Sequence, residues 1–237
     1  MQLIDVSPIA AVKRPRIDNN PKVRYLSDWE DRALREALIL REERMRMERL
    51  RANEWRADRG YLLLPALSAS IFCDHLMPMV LLSLNTGMRR GELFDLTWND
   101  IDWENKALVV AGSISKSGRS RHIPLNKESM KTIEKWKSSC TVDQERVFEN
   151  EAGQRFGQVK TAWGGLLRSA GIMNFRWHDM RHDFASKLVM AGVDLNTVRE
   201  LLGHSDYKMT LRYAHLAPEH TRRAVEVLDR CPLSSVT

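Results

Sequence analysis

The chain predicts a mainly α-helical fold with one small antiparallel β-sheet, an α+β arrangement, and three observations lead there. Segments with helical spacing of apolar residues and recognisable caps recur along most of the 237 residues. Strand-like runs are short and gathered in one stretch: Val109-Val110 and His122-Ile123 flank the turn-rich 112–120, with Val147-Phe148 as a third. Hydrophobic residues make up 43% of the chain, enough at this length for one domain with a real core.

Residues 1–26 read as a basic linker. Pro8, Lys13-Arg14-Pro15-Arg16 and Asp18-Asn19-Asn20-Pro21 mix turn formers with positive charge and show no helical period. Ser27-Asp28-Trp29-Glu30 is a capping box, in which Ser27 accepts from the first turn and Glu30 reaches back. Leu34, Leu38 and Leu40 give the helix that follows an apolar side. The mixed charges of 41–59 suit a solvated face with i,i+4 pairs, and Gly60 is a natural stop. An apolar helix is expected over 74–84, ending at Asn85-Thr86-Gly87, and a short one over 90–96. After the sheet, helices are expected over 126–138, 159–170, 179–191, 195–202 and 207–215. Gly192 closes the third of these and Asp194 caps the fourth. Pro218 opens a last helix reaching about 229, and 231–237 form a flexible tail.

Charge narrows the partner. With 37 Lys and Arg against 31 Asp and Glu, the net charge is +6 and the pI near 9.4, which favours a polyanion. No apolar run is long enough to cross a membrane, and the N-terminus lacks the regions of a signal peptide. Cys73, Cys140 and Cys231 stand far apart with no C-x-x-C pair, so neither a disulfide framework nor a zinc site is indicated and a reducing cytoplasm is expected.

Five basic residues and a tyrosine carry the chemistry. Arg89 lies in Thr86-Gly87-Met88-Arg89-Arg90-Gly91-Glu92-Leu93, and Lys116 in a Ser-Lys-Ser-Gly stretch between the strand-like runs. His178 and Arg181 form His-x-x-Arg, His204 ends Leu201-Leu202-Gly203-His204, and Tyr213 follows nine residues later. A tyrosine of ordinary pKa, about 10, is ionised about one part in a thousand at neutral pH, so reaching the phenolate costs about 4 kcal/mol. Cations or a base lower that cost. Two arginines can fork onto the non-bridging oxygens of a phosphodiester. A lysine can protonate the leaving oxygen, and histidines can take the nucleophile's proton or bind a phosphate oxygen. No metal is needed for any of these roles.

Taken singly, each residue has a plainer reading. Arg89 could contact carbonyls at a turn, His204 could cap a helix C-terminus, and Tyr213 could be a core tyrosine. Lys116 has Arg119 and Arg121 as neighbours able to compete for its role. His178-Asp179-Met180-Arg181-His182 looks like the zinc pattern H-E-x-x-H, but Arg181 would then set an unpaired cation beside the metal. His182 is expected to be structural, paired with a carbonyl or carboxylate. Glu92, three residues after Arg89, can face it across one turn and orient it.

As an ordered set, these boxes resemble those of the tyrosine recombinases, the phage integrase family, over roughly residues 22–230. The resemblance implies a tyrosine recombinase catalytic domain over 27–230. It implies site-specific DNA recombination or integration by strand cleavage and rejoining through a 3′-phosphotyrosyl link, as in phage or mobile-element integrases. Tyr213 would be the nucleophile. Arg89, rather than Arg90, would hold the phosphate with Arg181 and His204; His178 would act as base and acid, Lys116 would protonate the leaving group, and Glu92 would support. Neither cofactor nor metal is implied. The implied partners are double-stranded DNA, further copies in a homotetramer on two DNA sites, and an accessory DNA-bending protein or directionality factor, in a bacterial cytoplasm at the nucleoid. Family members usually carry a helical core-binding domain ahead of this region, and the chain begins near where that domain would end. A type IB topoisomerase and a non-cleaving DNA-binding or regulatory remnant of the same fold are the alternatives.

Overall fold

The computed structural model describes residues 23–68, 72–112, 120–140, 144–150 and 152–217. Lys116, the helix expected after Pro218 and residues 1–22 of the linker lie outside the described residues. Helix α1 (Asp28–Ala57) opens with the expected box: the Glu30 amide donates to Ser27 Oγ at 3.2 Å and the Ser27 amide to Glu30 Oε2 at 3.0 Å. Leu34, Ala37 and Leu38 are buried, but Leu40 is 56% exposed. At about 100° per residue, Leu40 lies some 200° around the helix from Leu38 and so faces away from the core. The charged run is also not wholly solvated. Glu42 is buried, accepting from Arg46 and from the Cys73 amide, both at 2.9 Å. Gly60 follows with φ +69°, as a stop should.

Helix α2 (Leu76–Thr86) begins later than expected because Asp74 caps it from outside, accepting from the Leu76 amide at 3.0 Å while pairing with Arg41. It is the central element, packing against α4 (Lys127–Lys137) and α6 (Asp179–Met190). Leu76, Met79, Val80 and Leu82 are fully enclosed, each worth about 1.5–3 kcal/mol of transfer from water. Gly87 ends α2 at φ +61°. A Cβ there would stand 2.4 Å from Phe184 Cδ1, so space and backbone both require glycine.

After the short α3 (Arg90–Asp95), three strands form an antiparallel meander: β1 (Ile101–Asp102), β2 (Ala107–Val110) and β3 (Arg121–Pro124). Ile101 pairs with Leu108, and Leu108 with Ile123. The third strand is therefore β1 and not Val147-Phe148. Those two residues are buried, but the Val147 amide donates to the Leu96 carbonyl at 2.8 Å and Trp136 Nε1 donates to the Val147 carbonyl. A loop and an indole satisfy that backbone, leaving no ladder to join.

Asn126 caps α4 and Asp194 caps α7 (Leu195–Leu202), each through its side-chain oxygen. Helix α5 (Lys160–Ser169) packs on α1, and α6 on α7. The expected helix over 207–215 is broken: α8 (Lys208–Leu211) spans one turn, and a 3₁₀ turn over Ala214–Leu216 follows. Tyr213 sits at the break, packed into a small cluster with Ala185, Val189, Val198 and Leu202. No described helix is long and apolar enough to cross a membrane.

Candidate active site

Two helix ends and one strand create the site. Helices α2 and α7 both finish on left-handed glycines, Gly87 and Gly203, leaving C-terminal carbonyls that carry partial negative charge. Arg181, on the first turn of α6, answers both: Nη1 donates to the Gly87 carbonyl at 2.8 Å and Nη2 to the Leu202 carbonyl at 2.5 Å. One guanidinium thus fixes the loop bearing Arg89 relative to the loop bearing His204. Arg181 is buried and, among the described residues, forms no ion pair with a carboxylate; burial together with the neighbouring Arg89 charge pulls its pKa down to about 9. Such a cation gains from any anion brought beside it.

Arg89 precedes α3 and is oriented by Glu92, as expected. Its amide donates to Glu92 Oε2 at 2.8 Å and its Nη1 to Oε1 at 2.7 Å. The other half of the Glu92 carboxylate is taken by Arg121 on β3, whose Nη1 and Nη2 donate to Oε1 and Oε2 at 3.1 and 2.7 Å. Four donors fill the carboxylate's capacity, and despite burial they hold its pKa down at about 2. Arg121 Nε donates to the Leu201 carbonyl at 3.0 Å. Arg121 is therefore a buried strut between β3, α3 and α7 rather than a competitor for the role of Lys116. A Cβ on Gly203 would press on its chain at 2.9 Å. The alternation along β3, with Arg121 and Ile123 inward, carries the only sequence signal for this.

His204 starts the turn after α7, with Nδ1 2.9 Å from the Thr210 hydroxyl. Burial, Arg181 and Arg89 push its pKa down to about 3. His178 is also shifted down, first by burial and then by Arg181. Both imidazoles are thus neutral at pH 7, and the arginines supply the positive charge of the site.

His182 departs from expectation. Among the described residues it pairs with neither a carbonyl nor a carboxylate: its Nδ1 lies 2.7 Å from the Tyr213 hydroxyl oxygen. The side chain turns inward to the break after α8, a placement that spacing along α6 does not reveal. Its ring stands edge-on to His178, with centroids 5.1 Å apart. Among the described residues, no group of three or more His, Cys, Asp or Glu side chains could hold a metal ion.

Arg89, His178, Arg181, His204 and Tyr213 line one cleft of about 70 Å³, completed by His182, Met209 and Arg212. The described residues of the set thus converge, 124 positions of sequence apart at their extremes (213 − 89). Fold and cleft together define a mainly helical domain with a cationic, tyrosine-bearing cleft.

Residues 68–220 match the phage integrase family, and the chain belongs to that family of tyrosine recombinases and integrases. It is 33% identical over 167 residues to the integrase of Salmonella phage P22, covering 66% of this chain and 43% of that protein. The structure is similar to the catalytic domain of bacteriophage HP1 integrase, with TM-score 0.50 and 25% identity over 68% of this chain and 84% of that one. It also resembles the XerH site-specific recombinase bound to its difH substrate before cleavage, with TM-score 0.61 and 19% identity over 87% of this chain and 55% of that one. The chain spans about half the length of the curated relatives it matches, from 43% to 53%.

Proposed function

We propose that this chain cuts and rejoins DNA strands in site-specific recombination, with Tyr213 as nucleophile. The observation that carries the reading is the single cleft shared by Tyr213, Arg89, Arg181, His178 and His204. Tyr213 Oη attacks the scissile phosphorus, the P–O5′ bond breaks, and a 3′-phosphotyrosyl link with a free 5′ hydroxyl remains. Arg89 and Arg181 neutralise the non-bridging oxygens. A Thr210 hydroxyl that donates to His204 Nδ1 leaves the imidazole proton on Nε2 to donate to the phosphate. Lys116 supplies the proton for the leaving oxygen. The bond energy stays in the covalent link, so rejoining needs neither nucleotide nor metal.

Duplex DNA fits the net charge of +6 and the DNA-bound relative. Four copies on two DNA sites, an accessory DNA-bending protein or directionality factor, and a place at the bacterial nucleoid complete the reading. The test is a suicide duplex nicked beside the cleavage position, run at low ionic strength because phosphate contacts weaken steeply with salt. Wild type is expected to give a covalent adduct, and Tyr213→Phe none, with DNA binding retained. An adduct that persists in Tyr213→Phe and vanishes in Tyr207→Phe would overturn the nucleophile. Absence of any adduct would favour a non-cleaving DNA-binding remnant, and strand swivelling without Holliday junctions a type IB topoisomerase.

A further inference from the structure

We infer that His182, which the resemblance leaves without a chemical role, is the residue that accepts the Tyr213 proton as the nucleophile attacks. This rests on the strand-cleavage reading above and deepens it.

The geometry begins with the tyrosine. Tyr213 is 1% exposed, and burial raises its pKa against the pull of Arg181 and Arg212. An enclosed phenol of this kind does not ionise into water, so its proton needs a protein acceptor in contact. Among the described residues the hydroxyl has one hydrogen-bond partner, His182 Nδ1 at 2.7 Å. No bond joins it to His178, whose ring lies edge-on behind that of His182.

The acceptor is in the right form. Burial, then His178 and Arg212, keep the His182 pKa down at about 4, so at neutral pH it is uncharged with one nitrogen free to accept. With the tyrosine O–H donating to Nδ1, the ring proton sits on Nε2. The groups facing it are His178, which precedes α6, Asp179 and Arg181 from α6 itself, Arg212 and Tyr213 from the segment after α8, and His204 from the turn after α7. Most are cationic or neutral, so they resist a proton on His182 while the cleft is empty. A phosphodiester between Arg89 and Arg181 cancels part of that potential and raises the basicity of His182 when it is needed. In the step itself, the Tyr213 Oη–H bond breaks and the proton passes to Nδ1. The Oη–P bond forms, P–O5′ breaks, and the departing O5′ takes its proton from Lys116. His178 is then left to face the phosphate.

Two variants separate proton transfer from simple support. In His182→Asn the amide oxygen takes the place of Nδ1 and can still accept the hydroxyl but cannot carry the proton away; His182→Ala removes both abilities. The full chain is assayed with saturating suicide duplex. His182→Asn and His182→Ala are expected to slow adduct formation by about 10²–10⁴-fold, the usual worth of a general base, with DNA Kd unchanged. The wild-type rate should climb with pH to a plateau, and His182→Asn should lose that limb. A bridging sulfur at the 5′ position should not rescue either variant, because it relieves the leaving group and not the nucleophile. Near-wild-type rates in His182→Asn would reduce His182 to a support and overturn the proposal, as would loss of the pH limb in His178→Asn but not in His182→Asn. Imidazole ¹⁵N NMR on the free protein tests the hydrogen bond without DNA. The Nε2–H tautomer with an Nδ1 signal that moves in Tyr213→Phe is expected, and a proton on Nδ1 would overturn the proposal whatever the kinetics. Absence of an adduct even from wild type would refute the strand-cleavage reading itself, and the catalytic role of His182 with it.

Discussion

Replacing Glu92 with glutamine tests the buried frame that holds Arg89. The wild-type carboxylate accepts from Arg89 and Arg121 through four hydrogen bonds of 2.7–3.1 Å. Its pKa falls from an ordinary 4.5 to about 2, which at about 1.4 kcal/mol for each pH unit corresponds to about 3 kcal/mol of stability. A depressed carboxylate contributes that stability fully above pH 4.5 and loses it as pH falls toward 2. Glu92→Gln keeps the shape but leaves Arg121 buried without its counter-charge, a loss on the order of 3 kcal/mol. Urea unfolding of both proteins at several pH values is the assay. The difference should be about 3 kcal/mol at pH 7 and should shrink steadily on acidification below pH 4.5. Other carboxylates titrate in both proteins, so the difference isolates Glu92. A gap that stays constant across that range would refute the electrostatic argument. Adding Arg121→Met to Glu92→Gln should recover part of the loss, because removing both members of a buried pair costs less than orphaning one.

Two further outcomes concern the chemistry. Because side chains supply the cations, adduct formation should survive excess EDTA, and activity that vanished with chelator and returned with zinc would revive a metal role for His178 and His182. For the leaving group, Lys116→Ala should be slow on ordinary DNA by about 10²–10⁴-fold and largely recover on a 5′-bridging phosphorothioate, since a thiolate departs without a proton. Arg89→Ala should not recover, and equal rescue of both variants would move the general acid away from Lys116.

Local signals along the chain set most of its elements. The Ser27–Glu30 box and the Asp194 cap are bonds between residues two or three apart, so residue type and spacing suffice to foresee them. The glycines after α2 and α7 belong to the same short-range class. The boxes around Arg89, His178-Arg181, His204 and Tyr213 were legible as an ordered set, although convergence in one cleft is a property of the fold. What required the tertiary structure is of longer range. Arg121 meets Glu92 across 29 residues, His182 meets Tyr213 across 31, and Arg181 reaches the Gly87 carbonyl across 94. The alternation along β3 marks Arg121 as inward-facing but does not name its partner, and nothing in the local pattern distinguishes His182 from a solvated helix residue. Which partner each finds depends on how α2, α6 and α7 pack, and on where the backbone breaks between α8 and the 3₁₀ turn. Leu40 and Val147-Phe148 show the same limit. Their hydrophobicity was plain in the chain, but helix phase turned Leu40 outward, and a loop carbonyl and an indole took the backbone bonds that would have made Val147-Phe148 a strand. The sequence alone thus determined the inventory of reactive groups, while long-range packing decided which of them touch.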